Sequence, residues 1–423
     1  MALLISSAAL FLLAHLLTSD GRTPETASGT VTAKWSANLR PTIGSAPLGQ
    51  MFGRKRERQG LPQTSLWFLD DGTIVATFVT QERANPSLSS RDSSDPNQPL
   101  RLRAIFLDAD TGRITSTQAW PSVSRLARIV AADKGKFVTQ SGTTLTLYSS
   151  DAKELKKLSL PSPPQNLNGW HAHPSPTGKS ILFATGDLMA TSPKPWIWVD
   201  TNTLDVVRSW QEVQTGWMEI SDSAIAMTAC TIRLYRCEPH VEIRGIATEW
   251  KTIADIEKTQ GAGVQFVNQN MLFLSGSPWK LLQTDGRIVL TDADPKGGAA
   301  VSSAGGKRFI VPFFKLVGRV EALDIGGHGD LKTISVYDAP FHERSYKLEV
   351  KGPKIRSISD KSVAQLALSP DGSKLSVLYE ESVYFFQLPP PSTEHIDTGS
   401  VKNGNSPAPD PPKPKPQFHW SDP

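Results

Sequence analysis

The stretch LALSPDGSKLSVLY, residues 366–379, contains two apolar, partly alternating runs joined by Ser369, Pro370, Asp371 and Gly372. Alternation of apolar and polar residues is typical of a strand with one buried face. Glycine reaches a positive φ without a clash from a Cβ atom, so it allows the chain to reverse tightly at the turn. The stretch therefore predicts a β-hairpin.

The same order of apolar run, polar turn and apolar run occurs seven times along the chain. The seven copies occupy residues 67–78, 128–139, 173–184, 219–228, 266–274, 301–311 and 366–379. The residues at the turn position, where we expect a positive φ, are Gly72, Gly135, Gly178, Ser223, Asn270, Gly306 and Gly372. Several successive turns lie roughly 40 to 50 residues apart, which is the length of a four-stranded propeller blade.

A second pair of strand-like segments, with a polar turn between them, follows four of these hairpins. These pairs lie at 102–117, 144–158, 196–210 and 333–350. Each has the composition expected of the third and fourth strands of a blade. The sequence thus predicts an all-β fold, a seven-bladed β-propeller of four-stranded antiparallel blades.

Two segments, SPDGSKLSVLY and VDTNTLDVV, together with the sevenfold spacing, resemble the WD40 and YVTN-type β-propeller superfamily. The resemblance covers roughly residues 30 to 390 and concerns the fold, since the paired GH and WD signatures of WD40 repeats are missing. It implies a ring that is usually a platform for partners and sometimes an enzyme. Fold alone does not decide between these roles.

The last predicted blade has only three strands before the chain reaches PPPS at residue 389. The segment GTVTAKWSANL, residues 29–39, alternates apolar and polar residues and precedes the first blade. We predict that this N-terminal segment supplies the missing strand, because pairing there closes the ring and removes an exposed sheet edge. Deleting residues 28–40 should then destabilise the domain, whereas truncation after 392 should not.

The ends of the chain differ in composition from the predicted propeller, residues 29–390. Residues 1–19 contain an uncharged run that indicates a secretory signal peptide. The alternative is an uncleaved membrane anchor, although the run is shorter than the ~20 residues that span a bilayer. Residues 391–423 are rich in proline and are predicted to be a disordered tail. We therefore expect a secreted or periplasmic protein, or one anchored by its N-terminus.

The two cysteines, Cys230 and Cys237, lie in ACTIRLYRC. Export would favour a disulfide between them, with two free thiols as the alternative. A straight strand would hold them ~23 Å apart, so a bridge requires the chain to turn between them. We therefore predict a loop at this segment.

The motif WHAHP contains His171 and His173, which project to the same side of a strand and could supply two ligands to one metal ion. His240 or His328 could then provide the third. Structural histidines are the alternative. Hydrolase, zincin and phosphate-loop motifs are missing from the sequence, so no catalytic residue and no cofactor are predicted.

Two further groups of residues have structural explanations. Turn chemistry accounts for the aspartates at Asp108, Asp110, Asp200, Asp292, Asp294 and Asp338. Packing between blades, rather than a ligand cage, accounts for the tryptophans at Trp67, Trp196, Trp198, Trp217 and Trp279.

In a regular propeller, the connections between second and third strands all emerge on one face. Long ones are predicted at 81–100, 186–195, 229–240 and 315–332. Binding residues concentrate on loops carried by a rigid scaffold, so the sequence favours a non-enzymatic recognition scaffold that binds protein or glycan partners. The alternatives are a propeller hydrolase or lactonase with its site at the central channel, and a component that stabilises an assembly. The net charge of +4 is spread along the chain and does not indicate nucleic-acid binding. We expect a monomer.

Overall fold

The computed structural model describes most of the predicted propeller. The described residues are 27–43, 64–81, 99–163, 169–185, 193–212, 218–233, 236–245, 251–257, 263–275, 278–292, 300–317, 328–352, 355–358, 365–379 and 381–391. The predicted signal peptide or anchor and the proline-rich tail after 391 lie outside them. Among the described residues, no helix is long and apolar enough to cross a membrane.

Seven separate sheets form the blades. Six of them have four antiparallel strands, and the sheet of blade 6 has six, because Ala27–Thr32 and Arg356–Ile358 pair with the four antiparallel strands of that blade. Blade 1 contains Ser65–Phe68, Thr73–Gln81, Leu100–Asp108 and Ile114–Ser122. Blade 2 contains Arg128–Asp133, Lys136–Ser141, Thr144–Tyr148 and Glu154–Ser159. Blade 3 contains Trp170–Pro174, Ser180–Thr185, Lys194–Asp200 and Val206–Glu212.

The remaining blades repeat this order. Blade 4 contains Met218–Ile220, Ala224–Arg233, Arg236–Gly245 and Thr252–Glu257. Blade 5 contains Val264–Phe266, Met271–Leu274, Trp279–Gln283 and Ile288–Asp292. Blade 6 contains Val301–Ser302, Arg308–Val317, His328–Asp338 and Tyr346–Lys351. Blade 7 contains Gln365–Leu368, Lys374–Tyr379 and Ser382–Gln387, and takes its outer strand from the N-terminal segment. The predicted propeller and all seven hairpins are confirmed.

The N-terminal segment closes the ring, as the sequence predicts. Trp35–Asn38 pairs antiparallel with the third strand of blade 7, with Trp35 opposite Phe385. The preceding strand, Ala27–Thr32, instead pairs in parallel with the outer strand of blade 6. A one-turn helix, Arg40–Ile43, follows the closing strand. The predicted donor segment is therefore two strands that join two neighbouring blades.

The core lies between neighbouring blades. Trp196 packs with Trp198 against Met218 and Ile220 of the next blade, while Trp279 packs against Phe309. Trp196 and Trp279 are each only 1% exposed. These contacts confirm the packing predicted for the tryptophans in described residues, and Trp217 lies outside that part of the chain.

The turns between first and second strands are of two kinds. Four of the predicted glycines have a positive φ: Gly135, Gly178, Gly306 and Gly372. The prediction of a positive φ is wrong for Gly72, Ser223 and Asn270. Each of these three donates its backbone N–H to a side-chain oxygen two residues earlier, on Asp70, Ser221 and Asn268 respectively. A side chain that closes the turn in this way makes left-handed backbone unnecessary.

The cysteine segment is not a loop, so that prediction is wrong. Strands of ten residues, Ala224–Arg233 and Arg236–Gly245, pair along their whole length and contain both cysteines. The chain reverses between them at residues 234–235, outside the described part. In the register, Cys230 lies opposite Pro239 and Cys237 opposite Ile232. The predicted disulfide involves side chains outside the described part, and it stays a prediction.

The other predicted loops are shorter than expected because their flanking residues extend the strands. Gln81 and Leu100 are paired with each other, so the first connection contains only residues 82–99. Lys194 begins a strand, which ends the second connection at 193. In blade 6, Val317 and His328 are paired, which leaves 318–327 as the connection.

The aspartates divide into two groups. Asp108 and Asp200 accept hydrogen bonds from backbone N–H groups of their own turns, as predicted. Asp110, by contrast, forms an ion pair with Lys374 at 2.9 Å, joining blades 1 and 7. Asp292 and Asp338 accept hydrogen bonds from side chains of other strands, those of Tyr337 and Arg308, and for these two the explanation by turn chemistry stays a prediction. Asp294 lies outside the described residues.

The side chain of Arg308 links three segments of the chain where blades 6 and 7 meet. Its side chain is fully buried and makes a two-pronged pair with Asp338, in which Nη2 lies 2.9 Å from Oδ2. Its Nη1 also donates to the carbonyl oxygens of Gly372 and Pro389, at 2.9 and 2.6 Å. A buried cation requires such complete pairing, and here the pairing joins blade 6 to the turn of blade 7 and to the chain that leaves it.

Candidate functional site in the central channel

The first strands of all seven blades surround a cavity of about 610 Å³. Trp67, Arg128, Glu219, Gln265 and Gln365 are among its lining residues, each from a different blade. A cavity of this size, lined by both apolar and polar side chains, can hold a small ligand. The channel is therefore the candidate site.

Equivalent positions on the first strands can be identified from a shared hydrogen bond. In six blades, the backbone N–H of the residue that follows the first strand donates to a backbone carbonyl oxygen at the start of the second strand, as Ser175 does to Ser180. Alignment on this bond places the following residues at one level of the channel: Trp67, His173, Glu219, Gln265, Val301 and Ala367. Three consecutive blades, 3 to 5, thus present a histidine, a glutamate and a glutamine at the same level.

Two side chains at this level donate to a backbone carbonyl of the next blade. Trp67 Nε1 donates to Ile129 O at 3.3 Å, and Gln265 Nε2 donates to Ala300 O at 2.5 Å. His173 is hydrogen-bonded to the backbone of Met218 in blade 4. These bonds satisfy backbone groups on the inner edges of the sheets and join successive blades.

Glu219 differs from Trp67, His173 and Gln265, whose side chains bind the backbone of the next blade. Its carboxyl group makes no hydrogen bond or ion pair with any residue that the structure describes. Burial alone raises the pKa of Glu219 to about 8. The side chain is thus largely protonated at neutral pH.

Arg128 and His171 lie one step away, two residues nearer the start of their strands. Arg128 makes no hydrogen bond or ion pair within the described part of the chain, and burial lowers its pKa to about 10. Burial, followed by repulsion from Arg128, lowers the pKa of His171. Burial is also the main reason that the pKa of His173 falls to about 4, with repulsion from His171 and Arg128 adding to it. This side of the channel is electropositive.

The structure places His240 and His328 on other blades than His171 and His173. Trp170 and Ala172 pack into the core shared with blade 2, so His171 and His173 share the other side of the strand, as predicted. His240 lies in the third strand of blade 4, with Nε2 4.0 Å from Asp255. His328 belongs to blade 6. Within the described residues, no three potential ligands are close enough to hold a metal ion, and the site at His171 and His173 stays a prediction.

The two faces of the ring differ. At one face, which we call the turn face, the first-to-second and third-to-fourth turns bind one another at every junction between blades. The seven bonds, from junction 1–2 round to 7–1, are Gly135 N to Leu69 O, Asn202 Nδ2 to Asp133 Oδ2, Thr177 Oγ1 to Asp222 Oδ2, Gln269 Nε2 to Asp222 Oδ2, Asn268 Nδ2 to Gly306 O, Gly305 N to Pro370 O, and Asp371 N to Asp71 Oδ1. The bond lengths lie between 2.7 and 3.4 Å.

The opposite face, which we call the loop face, carries the second-to-third connections. Because strands alternate in direction, each first strand begins at this face. Arg128, His171 and Gln365 occupy equivalent positions near those beginnings. They therefore lie toward the mouth of the channel that opens on the loop face.

The charged and polar residues of the channel could not be selected from the sequence. Arg128 and Glu219 stand in ordinary strand contexts, and only the register between blades shows that they line one cavity. The sole signal was the HxH pattern, which marked His171 and His173.

No protein-family model matches the chain, and no curated protein matches it in sequence. Several solved structures are similar at low identity. Kluyveromyces lactis Hsv2 is 10% identical, with 75% of this chain and 91% of that chain covered and a TM-score of 0.42. A chain of the Mitotic Checkpoint Complex is 11% identical (84% and 95% covered, TM-score 0.46), as is BamB from Moraxella catarrhalis (85% and 100% covered, TM-score 0.35). The seven-bladed fold follows from the strand pairing, and membership in the WD40 or YVTN families stays a prediction.

Proposed function

We propose that this propeller is a non-enzymatic recognition scaffold that binds a protein or glycan partner on its loop face. The difference between the two faces is the observation that supports this proposal. On the turn face, polar groups at all seven junctions are already bonded to neighbouring turns. Those groups stabilise the ring and are not available to a partner.

The loop face differs because its connections vary in length while the strands beneath them are fixed. The connections of blades 1 and 6, residues 82–99 and 318–327, begin and end at directly paired strand residues. A rigid sheet that carries a variable connection is the usual arrangement for a binding surface.

The experiment replaces the blade 6 connection, residues 318–327, with a four-residue Gly-Asn turn. The pairing of Val317 with His328 allows this exchange without change to either strand. Lys307→Glu on the turn face, where the side chain is exposed, is the control. Binding is measured on a glycan array and by quantitative pull-down with purified chains.

We expect the loop exchange to remove a glycan or protein that the unaltered chain binds, while Lys307→Glu retains it. Both variants should keep the melting temperature of the unaltered chain. Loss of binding in Lys307→Glu alone, or no specific binding by the unaltered chain, would contradict the proposal.

We also propose that the scaffold is secreted or periplasmic, on the basis of the apolar run in residues 1–19. The intact mass of the protein purified from its native host tests this. A mass lacking the first 19 or so residues supports export with cleavage. A full-length mass in the soluble cytoplasmic fraction would contradict it.

A further inference from the structure

Within the described part of the chain, Arg128 is a cation of the channel that lacks a counter-charge. It lines the cavity, and no carboxylate or carbonyl of the described chain pairs with it. Arg308 differs from Arg128 in this respect. Its guanidinium is hydrogen-bonded to Asp338 and to two carbonyl oxygens. The Arg128 side chain is partly exposed to the cavity, so its charge is only partly withdrawn from water. A guanidinium in that position without a partner is unfavourable, and a ligand that supplies the missing charge lowers the cost.

The rest of the described lining does not neutralise Arg128. Glu219 is the single carboxylate among the described lining residues, and it lies two blades away and one level deeper. Its raised pKa of about 8 keeps it mostly uncharged at pH 7, and its charge does not contribute to the pKa shift of Arg128. At neutral pH the described lining of the cavity therefore has a net positive charge.

Neutral donors lie at the same level of the channel as the cation. Gln365, on blade 7, lines the cavity at the same level as Arg128, and His171 of blade 3 is close enough for the Arg128 charge to lower its pKa. The planar fork of a guanidinium binds the two oxygens of a carboxylate or phosphate in parallel, and an amide N–H can complete the set. The cavity of about 610 Å³ has room for a small organic molecule attached to such a group.

We propose that the channel binds a small organic anion, with its carboxylate or phosphate group paired to Arg128 near the mouth on the loop face. This site is separate from the proposed loop-face contact, so failure of either proposal leaves the other standing. The apolar part of the ligand extends along the channel toward Glu219 and Gln265.

The test is isothermal titration calorimetry on the purified full chain at constant ionic strength and pH 7. The probes are succinate, benzoate, inorganic phosphate and glycerol 3-phosphate, which separate carboxylate from phosphate recognition. Arg128→Gln removes the proposed partner. Arg125→Gln removes the same charge from an exposed position three residues earlier and is the matched control.

We expect saturable binding of one of the two anion classes, at least tenfold weaker in Arg128→Gln and unchanged in Arg125→Gln. Without ligand, Arg128→Gln should melt no lower than the unaltered chain, because it removes an unpaired cation. If Arg128→Gln does not fold, Arg128→Lys keeps the charge without the fork and should bind at least threefold more weakly. No binding of any probe, or equal binding by the Arg128 variants, would overturn the proposal.

Discussion

Glu219 occupies the position where neighbouring blades place His173 and Gln265, and both of those side chains bind the next blade. Its carboxyl group lacks such a partner among the described residues, and burial raises its pKa from the ordinary 4.5 to about 8. The folded protein therefore takes up a proton that the unfolded chain releases between these pH values. The stability that protonation allows is present below about pH 4.5 and is lost as the pH rises through 8.

We expect Glu219→Gln to be more stable than the unaltered chain by about 2 kcal/mol at pH 9 and nearly equal to it at pH 4.5. This stability difference is smaller than the free energy that corresponds to the full pKa difference, because the carboxyl group faces a cavity open to water. Urea unfolding at pH 4.5, 7 and 9 measures the difference, in which the contribution of His173 cancels. A difference that does not change with pH would show that the pKa of Glu219 is the same in the folded and unfolded chains.

For single residues, the sequence predicted which side chains lie together on one strand. It did not predict which side chains from different strands lie together. His171 and His173 were identifiable because their spacing is local. The level shared by His173, Glu219 and Gln265 depends on how three blades align, and the pairing of Arg308 with Asp338 joins residues 30 positions apart. Such relations have no signal in a single sequence.

Among the elements, the closing strand Trp35–Asn38 joins the last blade to the first. Trp35 stacks on Phe385 with ring centroids 5.1 Å apart, and its Nε1 donates to Ala109 O at 2.9 Å. The indole also lies against Gly112, where a Cβ atom would be 2.6 Å from the ring. One side chain thus holds blades 7 and 1 together.

We expect Trp35→Ala to lower the free energy of unfolding by about 3 kcal/mol, the cost of an aromatic cavity. Trp35→Phe keeps the stacking and should lose about 1 kcal/mol with the hydrogen bond. Ser36→Ala, at an exposed position on the same strand, is the control. Guanidinium unfolding checks all three, and equal losses in Trp35→Ala and Ser36→Ala would contradict the role of Trp35.

The hairpins were predictable because their turns and alternating runs are adjacent in the sequence. The lengths of the connections were not, because β-branched residues such as Thr228 and Ile232 continue a strand only where a partner strand is present. For the same reason, the division of the N-terminal segment between blades 6 and 7 became visible only in the structure.

For the whole molecule, the turn face acts as a continuous band around the ring. Two of its blades lie very close together at Gly178, where a Cβ atom would be 2.0 Å from the carbonyl oxygen of Ala132 in the preceding blade. Gly178 also has a φ of 73°. Any side chain here would push two blades apart.

We expect Gly178→Ala to destabilise the protein by about 3 kcal/mol or more, since neither backbone can move without breaking the band. Gly169→Ala is the matched control, because Gly169 has a φ of 90° but nothing within 4 Å of the added atom. It should cost only the backbone strain of about 1 kcal/mol. Thermal unfolding of both variants separates the two effects, and equal losses would show that blade contact at Gly178 is unimportant.

The pairing of Trp35 with Phe385 also has a consequence for biosynthesis. On the ribosome, the first strands of the ring emerge long before their partners have been translated. Ala27–Thr32 and Trp35–Asn38 must remain unpaired until blades 6 and 7 exist, while blades 1 to 5 can already form from local hairpins. Joining the ends is then the latest and slowest event, since it brings together the most distant parts of the chain. A nascent chain that contains blade 6 but not blade 7 can pair Ala27–Thr32, while Trp35–Asn38 still lacks its partner strand.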